Sequence, residues 1–446
     1  MKTAKVVGDL GEIGEVGQVR SSSLHRFFTA GTAATTLAAL LVSGFTASLH
    51  AQVVAITNAR VLPVSGPPIE NGVVLMRDGI IVSVGAGLAI PADARRVDAR
   101  GGWVTPGFIN AATQVGLVEI PLGTATQELG VRREVAAAFN VAEGLNPAST
   151  LIPVTRIEGT TSGLLVPSGS FIAGQSVFVD FAGSSIEDMI VRNPVAMHVT
   201  LDESSRDAGE GARAWTLARL RQILSDAREY ARRRADFERG AMRPLAAPAV
   251  ELEALQPVLE GRMPLVVTAH RVFDIRNALR VRSEFNIRLV LHGAAEAWQI
   301  AEEIAAAGVP VLVTPLTNIP TFNQLGARYE NAARLAAAGV RIAIIAGGDT
   351  HNARLIRQEA GNAVSYGLPW EQALRAVTLA PAQILGLDDR YGSLQTGRVA
   401  NVVVWSGDPF EFSTGVVSVF IRGREIPLTS RQTELFERYR TLPPRP

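Results

Sequence analysis

The sequence contains no cysteine among its 446 residues. This absence excludes disulfide bonds, thiolate metal ligands and a cysteine nucleophile. Lysine is also nearly absent, since Lys2 and Lys5 are the only lysines in the chain. The body of the protein therefore has no lysine for a Schiff base, a catalytic amine or a carbamylated metal bridge.

The chain also lacks an excess of either charge, with a net charge of +1 at pH 7. A net charge this close to zero gives no electrostatic indication of binding to nucleic acid or to an anionic membrane. The one run of arginines, at 232 to 234, is typical of a solvated helix face. Hydrophobic residues make up 47% of the chain, which suits one large α/β domain with a smaller companion.

The N-terminal segment has the features of a leader. Residues 27 to 49 are apolar and small, Arg20 and Arg26 precede them, and Ala51 follows as a small residue at a cleavage position. This pattern predicts a secretory signal peptide over residues 1 to 51 and export to the periplasm or the extracellular space. The alternative is a membrane anchor, but the segment is rich in Ala, Thr, Gly and Ser and makes a weak spanning helix.

Beyond the leader, the chain changes its pattern twice. Short β-rich runs with tight turns over 52–104 predict part of a small β-sandwich, and similar runs over 386–446 predict the other part and a tail. Between them, over 105–385, apolar strands such as 265–269 alternate with amphipathic helices. About eight such units favour an α/β fold built on a closed (β/α)8 TIM barrel. The highly charged stretch 205–240 predicts a long solvent-facing helix.

Four segments resemble the imidazolonepropionase-like branch of the amidohydrolase superfamily. They span nearly the whole chain after the leader, and they read RDGIIVSVG with VTPGFIN, TAHRVFDIRNALRVRSEFNIRLVLHGAAEA, HNARLIRQEAGNAVSYGLPWEQALRAVTLAPAQILGL, and GSLQTGRVANVVVWSGDP. The resemblance implies a hydrolase acting on C–N bonds of non-peptide or cyclic amides. It also implies a metal that makes hydroxide from water, held at the carboxyl ends of barrel strands.

The first barrel strand departs from the family pattern at its metal ligands. The family motif P-G-F-I-D-x-H-x-H aligns with PGFINAATQ at residues 106 to 114, so that Ala112 and Gln114 stand at the two histidine positions. Alanine cannot bind a metal, and a neutral amide is a poor zinc ligand.

Later strands keep part of the set that the resemblance implies. The histidine position of the fifth strand falls on Thr268, and His270 follows on the same strand face. His292 occupies the position of the sixth strand. Asp349, or Gly348 in the alternative register, occupies the aspartate position of the eighth strand, where Asp349 and His292 would be the catalytic residues.

Two readings of these residues remain open. His270, His292 and Asp349 form a minimal ligand set for one divalent metal, zinc by preference, or the histidines are structural and no metal binds. His351 reads as a loop or capping residue at a helix start, and His198 lies outside any motif.

Three functions follow from these alternatives. The chain is a family hydrolase with impaired or absent metal catalysis, a metal-free pseudoenzyme that acts as a binding or partner subunit, or an active single-metal hydrolase with a reduced ligand set. The expected partner is a small-molecule or peptide substrate or ligand, with no nucleic acid and no membrane after signal cleavage. A homo-oligomer, or pairing with an active paralogue, is the expected assembly by analogy with the family.

Overall fold

A computed structural model describes residues 53–169, 171–205, 211–346 and 350–441. The predicted signal peptide lies outside these residues and stays a prediction, as do the domain boundaries. The strands are β1 Val54–Val61, β2 Ile69–Arg77, β3 Ile80–Ala86, β4 Arg95–Asp98, β5 Trp103–Pro106, β6 Phe108–Thr113, β7 Thr160–Leu165, β8 Ile172–Gln175, β9 Val177–Asp180, β10 Ile190–Arg192, β11 Met197–Thr200, β12 Leu265–Ala269, β13 Leu289–Gly293, β14 Val311–Val313, β15 Ile342–Ile344, β16 Val402–Trp405, β17 Val416–Ile421 and β18 Arg424–Ile426.

Helices pack around the strands, and a helix is the last element of the described chain. They are α1 Leu151–Arg156, α2 Ile186–Met189, α3 Arg213–Arg232, α4 Arg234–Glu238, α5 Ala249–Ala254, α6 Gln256–Leu259, α7 Val272–Phe285, α8 Ala301–Ala306, α9 Asn331–Ala337, α10 Ile356–Ser365, α11 Trp370–Ala376, α12 Leu379–Leu385 and α13 Arg431–Tyr439. Within the described ranges, no helix combines the length and the apolarity needed to cross a membrane.

Two runs of parallel strands build the α/β core. β6 pairs in parallel with β7, and β11 to β15 pair in parallel in sequence order. Side chains from both runs, including Ile109, Leu164, Val266, Val290 and Leu312, meet in one apolar cluster. Because they alternate with residues that pack under the helices, this cluster forms the interior that the strands surround.

About eight β-α units were expected, and the described residues contain seven parallel barrel strands, β6, β7 and β11 to β15. Between β7 and β11, the chain forms β8, which is antiparallel to β11, and β9, which is antiparallel to β7. The connections from β7 to β8 and from β8 to β9 are too short to contain the crossover helix that a parallel connection requires.

The two ends of the β-rich sequence form one additional β-sheet. Its strand order is β18-β17-β16-β5-β1-β2-β3, with β4 paired to β1. The coarse prediction, an extra sheet made from segments on both sides of the barrel, is therefore confirmed. The expected two-sheet sandwich is instead a single hydrogen-bonded sheet, because β5 joins the N-terminal strands to β16.

The charged stretch 205–240 is not a single solvent-facing helix. It contains α3 and α4, and one face of α3 is buried against the core. The buried apolar residues of α3 are Leu217, Leu220, Ile223, Leu224, Ala227 and Tyr230. Their spacing of three and four residues gives an apolar stripe, which the high charge of the opposite face obscured in the sequence.

A buried carboxylate joins the barrel to the additional sheet. Asp180, which is fully buried at the end of β9, accepts hydrogen bonds from Ser162 Oγ at 2.8 Å and Asn401 Nδ2 at 2.9 Å. It also accepts from Tyr391 OH at 3.0 Å and Arg422 Nε at 2.6 Å. We call these five residues the Asp180 network. Four donors to one carboxylate offset much of the cost of burying its charge.

Candidate functional site at the barrel mouth

Three polar side chains stand level at the carboxyl ends of neighbouring barrel strands. Thr200 pairs with Thr268, and Thr268 pairs with His292, across β11, β12 and β13. Val266 and Val290, two residues earlier on β12 and β13, point into the barrel interior. By the two-residue period of a strand, Thr268 and His292 face the same interior one layer higher. We call the end of the barrel to which they belong the barrel mouth.

His292 is held in this layer by a hydrogen bond. Its Nδ1 lies 3.2 Å from Thr268 Oγ1. Burial, and to a smaller extent the charge of His270, lowers the pKa of His292 to about 4. The imidazole is therefore neutral near pH 7, with one of its two ring nitrogens already engaged by the threonine hydroxyl.

His270 lies just beyond the end of β12 and leans over the neighbouring strand. Its Nε2 is 3.7 Å from Asp202 Oδ2, and a Cβ added at Gly293 would lie 2.8 Å from its Nδ1. Gly293, at φ +80°, thus leaves the space that the imidazole ring fills. Burial lowers the pKa of His270, while the nearby Asp202 and Glu296 act in the opposite direction. His270 Nδ1 is buried and has no hydrogen-bond partner among the described residues.

His198 belongs to the same group, which the sequence analysis did not foresee. It lies on β11 two residues before Thr200 and is only 7% exposed, and its Nε2 has no hydrogen-bond partner in the part of the chain that the structure describes. Burial, together with the nearby His292, lowers the pKa of His198 to about 3. The strand alternation of VAMHVT could have predicted this position, because it puts His198 on the same strand face as Ala196, which lies in the barrel interior.

Ion pairs fix the loops around the histidines. The Arg213 guanidinium pairs with Asp274 on α7, and its Nη2 lies 2.7 Å from Glu203 Oε2. The same nitrogen donates to Asn323 Oδ1 at 3.2 Å, in the loop after β14. Burial raises the pKa of Asp274, and the Arg213 charge opposes that shift. These contacts hold loops from three strands in one arrangement around the barrel mouth.

The first strand contributes little polar chemistry to the mouth. Ala112 is 6% exposed and packs in the interior cluster. Gln114 follows the end of β6, where its backbone carbonyl accepts from the amides of the next turn. Asn110 Nδ2 donates to the carbonyl of Ala346 at 3.5 Å, so this residue joins β6 to the end of β15.

The two remaining candidates are placed differently. Asp349, the predicted catalytic residue and third metal ligand, lies outside the described residues, and so does Gly348. His351 is exposed in a 3₁₀ turn over Thr350–Leu355 before α10. The structure therefore brings His270 and His292 together and leaves the part of Asp349 a prediction.

The described side chains do not fit the metal site that the fold implies. Within the described ranges, no three histidine, aspartate or glutamate side chains are arranged to hold a metal ion. At the strand ends, Ala112 offers no donor, and Thr200 and Thr268 offer neutral hydroxyls. Zinc in proteins is held by three or four imidazole, thiolate or carboxylate groups. The donor set at these positions is too poor for that chemistry.

A buried acid beside the mouth makes the stability of the protein depend on pH. Glu359 on α10 is 2% exposed and accepts the Leu316 amide after β14 at 2.6 Å. Burial raises the pKa of Glu359 to about 7 from its usual 4.5. The folded state thus holds the proton more tightly than the unfolded state, and stability falls as the pH rises from 4.5 to 7, by about 3 kcal/mol.

Glu359→Gln is expected to remove this dependence, so that the variant is more stable than the parent at pH 8 but not at pH 4.5. Urea unfolding at the two pH values measures the difference. Glu302→Gln, at an exposed position on α8, serves as the control and should follow the parent at both. Equal stability differences at pH 4.5 and pH 8 would show that Glu359 does not titrate in this range.

Comparisons with known proteins agree with this architecture. Residues 286–426 match the Amidohydrolase family. The amidohydrolase tasK of Hapsidospora irregularis is 25% identical over 387 residues, which cover 79% of this chain but only 39% of that protein. An imidazolonepropionase of Mesorhizobium japonicum is 24% identical over 376 residues, or 76% of this chain and 87% of the relative.

A solved structure extends the match to three dimensions. The crystal structure of an amidohydrolase from Thermotoga maritima MSB8 superposes with a TM-score of 0.77 at 29% identity, covering 85% of this chain and 100% of the other. The family match over residues 286–426 and the structural likeness both show similarity to amidohydrolases.

Proposed function

We propose that this protein is a binding member of the amidohydrolase superfamily that holds a small-molecule or peptide ligand at its barrel mouth without metal-assisted hydrolysis. The proposal rests on the observation that Thr200, Thr268 and His292 lie at the same level on neighbouring strands. Together they supply one imidazole, whereas a metal centre needs several ligands. Ala112, buried at a family histidine position, supports the same conclusion.

The polar wall of the mouth suits an uncharged polar group. His270 Nδ1 and His198 Nε2 are buried and form no hydrogen bond with any described residue. A neutral imidazole offers one donor and one acceptor, so it complements an amide or an imide better than a carboxylate. Because unpaired buried polar atoms are costly, a ligand that engages them gains affinity.

Large apolar side chains are exposed in the segments that follow the barrel strands. Several large side chains that follow the carboxyl ends of barrel strands are exposed, namely Leu122 at 97%, Trp215 at 52%, Phe273 at 56% and Phe322 at 92%. Exposed apolar groups gathered at one end of a fold are typical of ligand or protein contacts. We propose on this basis that the ligand carries an apolar part, and that a second copy or an active paralogue can pair with the same exposed side chains.

The apolar segment at residues 27 to 49 motivates a further part of the proposal, that the protein acts after export, in the periplasm or outside the cell. Fractionation of cells that express the full chain tests it. Recovery of a shortened chain outside the cytoplasm would support export, and a full-length cytoplasmic chain would contradict it.

Metal content is the direct test of the binding function. The mature protein, purified without chelators and offered excess zinc and manganese, is expected to retain well below one ion per chain by elemental analysis. Its thermal midpoint is expected to be unchanged by a chelator, since no structural ion is lost. A content of about one ion per chain, with hydrolysis of cyclic amides or dipeptides that a chelator abolishes, would overturn the proposal.

One observation favours a second candidate, the active hydrolase with a single metal on His270, His292 and Asp349. The imidazoles of His270 and His292 interact, and within the described ranges His270 Nδ1 has no partner, a role that a metal could fill. If an ion is found, His270→Asn and Asp349→Asn should each release it, while the exposed His351→Asn should not. Retention of the ion by both former variants would exclude this ligand set.

A further inference from the structure

A cavity on the side of the additional sheet lies apart from the barrel mouth. Its volume is about 420 Å³, and its walls come from the end of β1, from β5, from the loop that follows β1 and from α11. The lining residues that matter here are Arg60, Val64, Trp103, Trp370, Glu371 and Arg375. We call it the tryptophan cavity. The volume lies in the range of sites that hold small ligands, roughly 300 to 1,000 Å³.

Its aromatic walls are fixed before any ligand arrives. The rings of Trp103 and Trp370 meet edge to face, with centroids 5.4 Å apart. Trp370 also packs on Phe410 at 5.2 Å and donates its indole N–H to Asp408 Oδ1 at 3.1 Å. The Arg60 guanidinium covers the other ring, 4.4 Å from the centroid of Trp103. Both tryptophans stay partly exposed at the cavity, so they offer a rigid aromatic surface.

Most charges around the cavity are already satisfied. Arg60 Nε lies 3.1 Å from Glu70 Oε1, and Asp408 accepts from the Trp370 indole and from the Phe410 amide. Two charges on α11 remain. Arg375 donates to Gln383 Oε1 at 3.1 Å, and neither it nor Glu371 forms an ion pair within the described chain. One cation and one anion, four residues apart on a helix, therefore face solvent beside the aromatic wall.

The wall opposite α11 contains a strained residue. Val64 has a φ of +67°, a left-handed conformation that a β-branched side chain rarely adopts. Such strain persists where the surroundings enforce it, and it clusters at ligand clamps and active sites. Val64 thus combines a strained backbone with a side chain that lines the cavity.

We propose that the tryptophan cavity binds a free aromatic amino acid as its zwitterion. The aromatic ring packs against Trp370 and Trp103, because offset or edge contacts between rings add to the gain from apolar burial. The carboxylate pairs with Arg375, whose planar guanidinium suits two oxygens, and the ammonium pairs with Glu371. A ligand with a single charge would leave one of the two helix charges unmatched.

Calorimetric titration of the full chain with L-phenylalanine, phenethylamine and 3-phenylpropionate tests this proposal. Phenylalanine is expected to bind at least tenfold more tightly than either analogue. Arg375→Gln should remove its advantage over phenethylamine, and Glu371→Gln its advantage over 3-phenylpropionate. Both residues are exposed, so these variants keep the fold. Trp370→Leu should weaken all three compounds at least tenfold.

Matched controls separate this site from the rest of the molecule. Arg96→Gln, at an exposed arginine on β4, and Trp215→Leu, at an exposed tryptophan on α3, should leave the affinity for phenylalanine unchanged. Absence of saturable binding at millimolar phenylalanine would overturn the proposal, and so would an equal affinity for all three compounds. Loss of binding in His270→Asn would place the ligand at the barrel mouth and would also overturn it, whatever the metal content proves to be.

Discussion

Between pH 6.5 and pH 4, the parent protein is expected to lose on the order of 5 kcal/mol of unfolding free energy relative to a double variant, His198→Asn with His292→Asn. Burial lowers the pKa of His198 to about 3 and that of His292 to about 4, against 6.5 for both in the unfolded chain. The unfolded state therefore takes up protons that the folded state refuses, and stability is lost as the pH falls through this range.

Urea unfolding at pH 4, 5, 6.5 and 8 provides the measurement. The comparison with the double variant is essential, because Glu359 works in the opposite direction and gains a proton in the folded state below pH 7. The exposed His351→Asn should follow the parent at every pH. If the double variant and the parent change in parallel between pH 6.5 and pH 4, the two histidines are not held neutral in the fold.

Asp180→Ala is expected to lower the free energy of unfolding by about 3 to 5 kcal/mol, the usual cost of removing one partner from a buried charged pair. The substitution removes the acceptor of the buried Tyr391 hydroxyl and one of the two acceptors of the buried Asn401 amide, which also donates to Ser162 Oγ at 3.0 Å. It also leaves the Arg422 guanidinium, which is 39% exposed, without its ion-pair partner at 2.6 Å. Unpaired buried donors carry most of this cost.

Chemical denaturation of Asp180→Ala at pH 7 measures the effect. Asp188→Ala is the control, since Asp188 is an exposed aspartate whose carboxylate accepts from the amide and hydroxyl of the neighbouring Ser184, and its loss should leave stability nearly unchanged. Asp180→Asn keeps an acceptor for Ser162 but not the charge, so it should fall between the two. A loss below about 1 kcal/mol for Asp180→Ala would mean that water or neighbouring groups replace the carboxylate.

The sequence predicted the parts of the fold whose patterns are local. The apolar run at 265–269 is β12, and the short β-rich runs over 52–104 include β1 to β3. These elements follow from alternation and from turn residues that act within a few positions. The antiparallel β8 and β9 were missed because their pairing is decided by partners distant in the chain, which no local pattern shows.

The candidate site was partly predictable for the same reason. The register of PGFIN fixed Ala112 as a substituted position, and the apolar strand LVLHG put His292 at a strand end. The importance of His198 depends on β11 lying beside β12 and on the His198 side chain facing the barrel interior. Both are features of the tertiary structure. The same holds for the tryptophan cavity, whose two rings come from residues 103 and 370.

The additional sheet sets the order in which the protein can be completed during synthesis. Trp405 on β16 donates its indole N–H to Thr105 Oγ1 on β5 at 2.9 Å, across 300 residues of sequence. At roughly 5 to 20 residues per second, a ribosome needs about 15 to 60 s to produce the second partner after the first. During that interval, β5 has its neighbour β1 on one side and an unpaired edge on the other. An emerging chain with such an edge is a natural client for chaperones that shield incomplete sheets.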